Sequence, residues 1–157
     1  MKIAIDADIP IKAYRALQVV YGSDETEFVY IPELVPANTQ DEFWADEFRR
    51  VGGRITISAD RNIAKRPHQI LAFQQNELIC FFLSSRWSET RLNVKAAHLI
   101  YWWPMIEKKI EESSVGDVWQ IPAGFTGGDM KNLRIPDDAI ARLAREGSPS
   151  GPKSSSA

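Results

Sequence analysis

The sequence predicts an α/β fold, a three-layer α/β/α sandwich around a mainly parallel central sheet of about five strands. Two observations carry that expectation. The runs Ile3-Ala4-Ile5, Ile55-Thr56-Ile57 and Leu78–Leu83 are apolar or β-branched and too short for helices. Such runs read as strands covered on both faces. Between them lie segments with helical apolar spacing, and strands that alternate with helices define this architecture. Right-handed crossovers then bring the C-terminal ends of the strands to one rim.

Taken in order, Lys2–Ile5 is the first strand, and it stops at two carboxylates, Asp6 and Asp8. Pro10 has the fixed φ of a first helical turn. Ala13, Leu17 and Val20, flanked by Tyr14 and Tyr21, give Pro10–Tyr21 one apolar face. A turn at Gly22-Ser23-Asp24 leads to a second strand over Thr26–Ile31, and Pro32–Asn38 is a loop. Thr39 with Glu42 forms a capping box for a second helix, whose buried stripe is Trp44, Phe48 and Val51 and whose stop is Gly52-Gly53. Arg54–Ser58 is a third strand, ending in Ala59-Asp60.

Beyond it come a short turn over Arg61–Lys65, a helix over Pro67–Gln75 and the strand Leu78–Leu83. Leu92, Ala96, Leu99, Trp103, Ile106 and Ile110 sustain one long helical face, which the interior Pro104 is expected to kink or divide. Asp117–Ile121 is a fifth strand. The domain is expected over residues 1–122. Residues 123–147 read as a Gly-containing linker with a small helix at Pro136–Glu146, and 148–157 as a disordered tail.

With 157 residues, 44% hydrophobic and 25% charged, the chain suits one globular domain. No apolar run is long enough for a bilayer, no signal-type segment opens the chain, and the single Cys80 cannot form an internal disulfide. A cytoplasmic address with no membrane partner is the expectation. The net charge of −2 excludes a general polycation, but the charges are unevenly spread. Asp24–Glu47 holds eight acids and no Lys or Arg, whereas Arg49–His68 holds six basic residues around the lone Asp60.

Carboxylates gathered on one sheet rim repel unless a cation lies among them. An all-oxygen set with room for water suits Mg²⁺ or Mn²⁺ better than zinc. There is no CxxC, HExxH, Gly-rich phosphate loop or GxSxG to support other chemistries. Each acid also has a structural role to compete with. Asp8 can cap the helix after Pro10, Asp60 the turn after it, and Asp41 and Glu42 can favour a helix N-terminus. Asp6 comes too early to be the obvious cap.

Three blocks, Ile5-Asp6-Ala7-Asp8-Ile9-Pro10, Asp41-Glu42 at a helix start, and Ile55–Ile63 with Asp60-Arg61 at a strand end, resemble those of PIN-like domains. The likeness is closest to the VapC-type toxin branch, and it spans roughly Lys2–Leu83. The resemblance implies an Mg²⁺- or Mn²⁺-dependent ribonuclease, the toxic half of a toxin–antitoxin pair, with RNA as substrate and an antitoxin protein as partner. Homodimerisation is left open. Carried over by position, the catalytic and metal-site acids are Asp6, Asp41 and Asp60, with Asp8 and Glu42 as further candidates. Arg61, Lys65 and Arg66 would hold RNA phosphates, and Trp87, Trp102 and Trp103 are candidates for base stacking.

The pattern also departs from the family. Asp8 and Asn62 stand where the family often has Asn and an acid, and a fourth carboxylate has only Glu42 and Asp117 as candidates. Two rival readings follow. One is a catalytically degenerate PIN-like binding module. The other is a haloacid-dehalogenase-like phosphatase with Asp6 as nucleophile and Asp8 as acid/base, which lacks its later Lys and acidic motif. A receiver-type reading lacks a Lys at the end of the fifth strand.

Overall fold

Ile3, Ala4 and Ile5 are wholly buried, so the first strand can only exist with apolar layers on both sides. The structure, a computed structural model, describes residues 1–39 and 41–147, without the side chains of Asp41 and Glu42. The expected tail over 148–157 lies outside the described residues. Six strands, β1 (Lys2–Ile5), β2 (Glu27–Tyr30), β3 (Ile55–Ser58), β4 (Ile79–Leu83), β5 (Val118–Ile121) and β6 (Lys131–Asn132), form one sheet in the order β2-β1-β3-β4-β5-β6. The first five are parallel and β6 runs antiparallel to β5.

Alternation along the strands divides the core in two. Ile3, Ile5, Ile55, Ile57, Phe81 and Leu83 face one layer, made by α1 (Ile11–Tyr21) and α5 (Leu92–Glu112). Ala4, Cys80, Phe82 and Val118 face the other, made chiefly by α3 (Asp41–Arg50), α4 (Pro67–Gln75) and α6 (Asp137–Gly147). A four-residue helix, α2 (Ile31–Leu34), follows β2 directly. The three-layer architecture is therefore as the sequence predicts, with one strand more than expected.

Several local expectations give way to packing. Ile31 leaves the strand to start α2, because Pro32 fits the first turn of a helix. Val20 and Val51 are 52% and 40% exposed; Tyr14 and Ala45 take the inward places instead. The hydroxyl of Thr39 donates to the Pro36 carbonyl, and the capping box expected between Thr39 and Glu42 lies outside the described residues. The β4–α5–β5 connection uses the same sheet face as β1–α1–β2 while running the opposite way along the sheet. One of these two crossovers therefore has the less common left-handed sense.

Pro104 does not divide α5, which runs unbroken from Leu92 to Glu112. A proline deprives the carbonyl four residues back, here Ile100, of its helical N–H. Tyr21 supplies the missing donor: its hydroxyl gives a 3.0 Å hydrogen bond to the Ile100 oxygen, and its ring packs near Trp103. The proline-containing helix is thus completed by the last residue of α1. Tyr21→Phe should leave that carbonyl unpaired and lower stability by about 1–2 kcal/mol, read from thermal or urea melting.

Candidate functional site: a carboxylate rim at the sheet's switch point

From β1 the chain steps to β2 on one side and later returns to β3 on the other. That reversal opens a crevice beyond the C-terminal ends of β1 and β3, the position where open α/β sheets bind ligands. Asp6 is the first residue past β1, and its N–H extends the ladder by donating to Ile57 O at 3.0 Å. The peptide then turns at once, with Ile9 N–H donating to Asp6 O, so Asp8 comes back beside Asp6.

The two carboxylates meet at Ser58, the last residue of β3. Its Oγ lies 3.0 Å from Asp6 Oδ2 and 3.2 Å from Asp8 Oδ2. It also accepts the Asp60 N–H at 3.2 Å. A hydroxyl has one proton, so it can donate to only one of the two anions at a time. Backbone donors also reach the pair: Ala7 N–H to Asp6 Oδ1 at 2.6 Å, and Ala59 N–H to Asp8 Oδ1 at 3.0 Å. Asp8 therefore does not cap α1, which has no side-chain cap. The field of the pair reaches Tyr30, whose phenol is pushed above its ordinary pKa by burial first, then by Asp8 and Asp6.

Asp60 shares the rim through its backbone, but its carboxylate is engaged elsewhere. Oδ1 accepts the Asn62 N–H at 2.9 Å, the turn-capping role foreseen for it, and Oδ2 accepts Arg66 Nη1 at 3.2 Å. Arg61 is exposed and pairs with Glu89, while Lys65 is exposed at the end of a 3₁₀ turn over Ile63–Lys65. Asp41 opens α3, but its carboxylate and that of Glu42 lie outside the described residues.

Other candidates are removed from the rim. Asp117 precedes β5 at the opposite end of the sheet, held by Arg134 at 3.2 Å and the Ser114 N–H at 2.8 Å. Trp87, Trp102 and Trp103 are only 2%, 1% and 1% exposed, so none can stack a base. Trp102 and Trp103 on α5, and Trp87 in the 3₁₀ turn Ser85–Glu89 before it, serve the core, and Trp102 Nε1 donates to Gly124 O. Ser58 is the residue that reading the sequence missed. Its one signal was a hydroxyl at the end of a β-branched strand, two residues before Asp60.

Among the described residues no group of three His, Cys, Asp or Glu is gathered closely enough to hold a metal ion. Two carboxylates nonetheless converge at Ser58, and Mg²⁺ is commonly held by one or two carboxylates with water and phosphate filling the rest. The donors present thus fit a hard divalent ion. No helix among the described residues is long and apolar enough to cross a membrane.

What the fold and rim define is a doubly wound α/β domain with an acidic switch point. A family model described as PIN like domain matches residues 1–85, more than half of the chain, and the chain belongs to that family, whose fold is of the nuclease type. The VapC-type branch is not distinguished by this match. No curated protein and no solved structure matches the chain.

Cys80 is excluded as a nucleophile by its place in β4. Burial pushes its thiol up from 9.0 to about 12. An alkylating reagent at neutral pH should label it only after unfolding, as mass spectrometry would show. Because the folded pKa is the higher one, its contribution to stability is complete below pH 9.0 and is lost as pH rises towards about 12.

Proposed function

We propose that the protein is a divalent-metal-dependent endoribonuclease. The observation that carries the reading is the convergence of Asp6 and Asp8 on the single hydroxyl of Ser58, at the switch point of a PIN-like fold. Asp6 and Asp8 would hold Mg²⁺ or Mn²⁺, and the sequence resemblance adds Asp41 to that set. Such an ion would supply Lewis-acid stabilisation of the charge that develops on the phosphate oxygens and would make a water more acidic. The overall reaction adds a water oxygen to phosphorus and breaks the bond to the leaving ribose oxygen, which takes up a proton.

The chain's own groups orient that step. Ser58 and the Ala7 and Ala59 N–H groups fix the two carboxylates, so that they need not reorganise when RNA arrives. Asp60 holds the Arg66 guanidinium at the rim, and Arg66, Lys65 and Arg61 take up flanking phosphates. The Asp60–Arg66 pair has a half-exposed arginine, so its value lies in placement more than in stability. The proposal extends to a toxin role with an antitoxin partner and a cytoplasmic address, on the strength of the sequence resemblance. Membership of the PIN-like family favours this reading over the phosphatase one. The position of Asp117 on the far rim favours, as a second reading, a catalytically degenerate binding module.

RNA cleavage by the purified chain with Mn²⁺, and after EDTA, decides between them. Asp6→Asn and Asp8→Asn should each slow cleavage by about a hundredfold or more. Asp46→Asn, on the exposed face of α3, should cleave as wild type does. EDTA should abolish activity and Mn²⁺ restore it. Equal rates in all variants, or cleavage indifferent to EDTA, would overturn the hydrolytic reading and leave the binding module.

A further inference from the structure

Beside Asp6 lies a groove of about 370 Å³, within the ~300–1,000 Å³ that small-molecule sites occupy. Its described lining is mostly apolar: Ile31, Pro32, Val35 and Pro36 from α2 and the loop after it, and Trp44 from α3. Among the described lining residues, polar character enters at Asp6 and at Asn38 and Thr39. The Thr39 hydroxyl is spent on the Pro36 carbonyl. Asn38 is exposed, sits at φ 65°, and makes no side-chain hydrogen bond to the described residues. Asparagine is the residue besides glycine that adopts this left-handed conformation most readily, so the backbone there accepts either.

The ligand chemistry this calls for is flat, with two apolar faces and a polar edge. Proline and aliphatic surfaces take the faces of a base, and one amide offers a donor and an acceptor to its edge. A charged or purely aliphatic occupant would use only one of those features. Asp6 is common to the groove and to the carboxylate pair, so an occupant is adjacent to a phosphate held there.

We propose that the groove bounded by Asp6, Pro32, Pro36, Asn38 and Trp44 is a nucleobase subsite that receives one unpaired base next to the scissile phosphate. The inference rests on the nuclease reading and adds a requirement to it. A base can enter only when it is free of a complementary strand, so the substrate is single-stranded at the cleavage point. Asn38, reading the base edge, sets the preference among bases.

The test uses the full chain and a fluorescein-labelled single-stranded RNA of ~10 nucleotides, titrated in Ca²⁺ to suppress turnover. Ala37→Trp fills the groove from an exposed position and should raise Kd about tenfold, with an unchanged melting temperature. Asn38→Gly removes the amide while relieving the positive φ, so it folds. It should narrow the spread of Kd among homopolymeric A, C, G and U oligonucleotides. The same RNA annealed to its complement should bind wild type about tenfold more weakly and be indifferent to Ala37→Trp. If wild type binds and cleaves RNA but Ala37→Trp shifts Kd by less than about twofold, the subsite is overturned and the nuclease reading stands; the groove then serves something other than RNA. If wild type neither binds nor cleaves, both fall together.

Discussion

The burial of β1 on both faces is the constraint from which the rest follows. Ile3, Ala4 and Ile5 expose no surface, and neither layer alone could cover them. A strand so placed must sit inside the sheet, with neighbours on each side. The chain meets that demand by visiting β2 first and β3 second, and this reversal is what opens a crevice past Ile5. The core requirement and the site are therefore one event in the topology. Asp6 is polar because it lies one residue beyond the covered region, where the sheet can no longer keep water and ions away.

Within that crevice, chemistry departs from what capping rules alone would arrange. Asp8 has a helix to cap and does not cap it; it turns to Ser58 and Ala59 instead. Two carboxylates sharing a hydroxyl with one proton is an unfavourable arrangement at neutral pH unless something positive compensates. Arg66, just beyond Asp60 on the same rim, is committed to that carboxylate. Sites that depart from local consistency are where function is expected.

Much of this was legible in the sequence. The short β-branched run Ile55–Ile57 and the continuous run at Leu78–Leu83 signalled strands, and the helix Pro67–Gln75 ends where its residues say it should. Asp6 and Asp60 on one rim could be placed because parallel strands share an end. What escaped was set by contacts between distant residues. β6 is two residues long and exists only because β5 offers an edge. Trp102 and Trp103 read as possible stacking surfaces until α5 is laid on the sheet, and Ser58 became important only when β1 and β3 came side by side.

The family match ends at residue 85, just past β4, but the folding unit cannot end there. The face of the sheet that carries Ile3, Ile5, Ile57 and Phe81 is closed by Leu99, Trp102, Trp103 and Ile106 of α5, and by Ile121 of β5. Phe28 packs edge-on against Trp103, and Tyr21 completes the α5 backbone at Pro104, so α1 and β2 depend on the later helix as much as it depends on them. His98 of α5 reaches Pro122 O at 2.9 Å, which fixes the segment leaving β5 to the same helix. The matched segment supplies the rim and its carboxylates. The remainder supplies the wall behind β1, and without that wall Asp6 and Asp8 would have no rigid strand end from which to meet at Ser58.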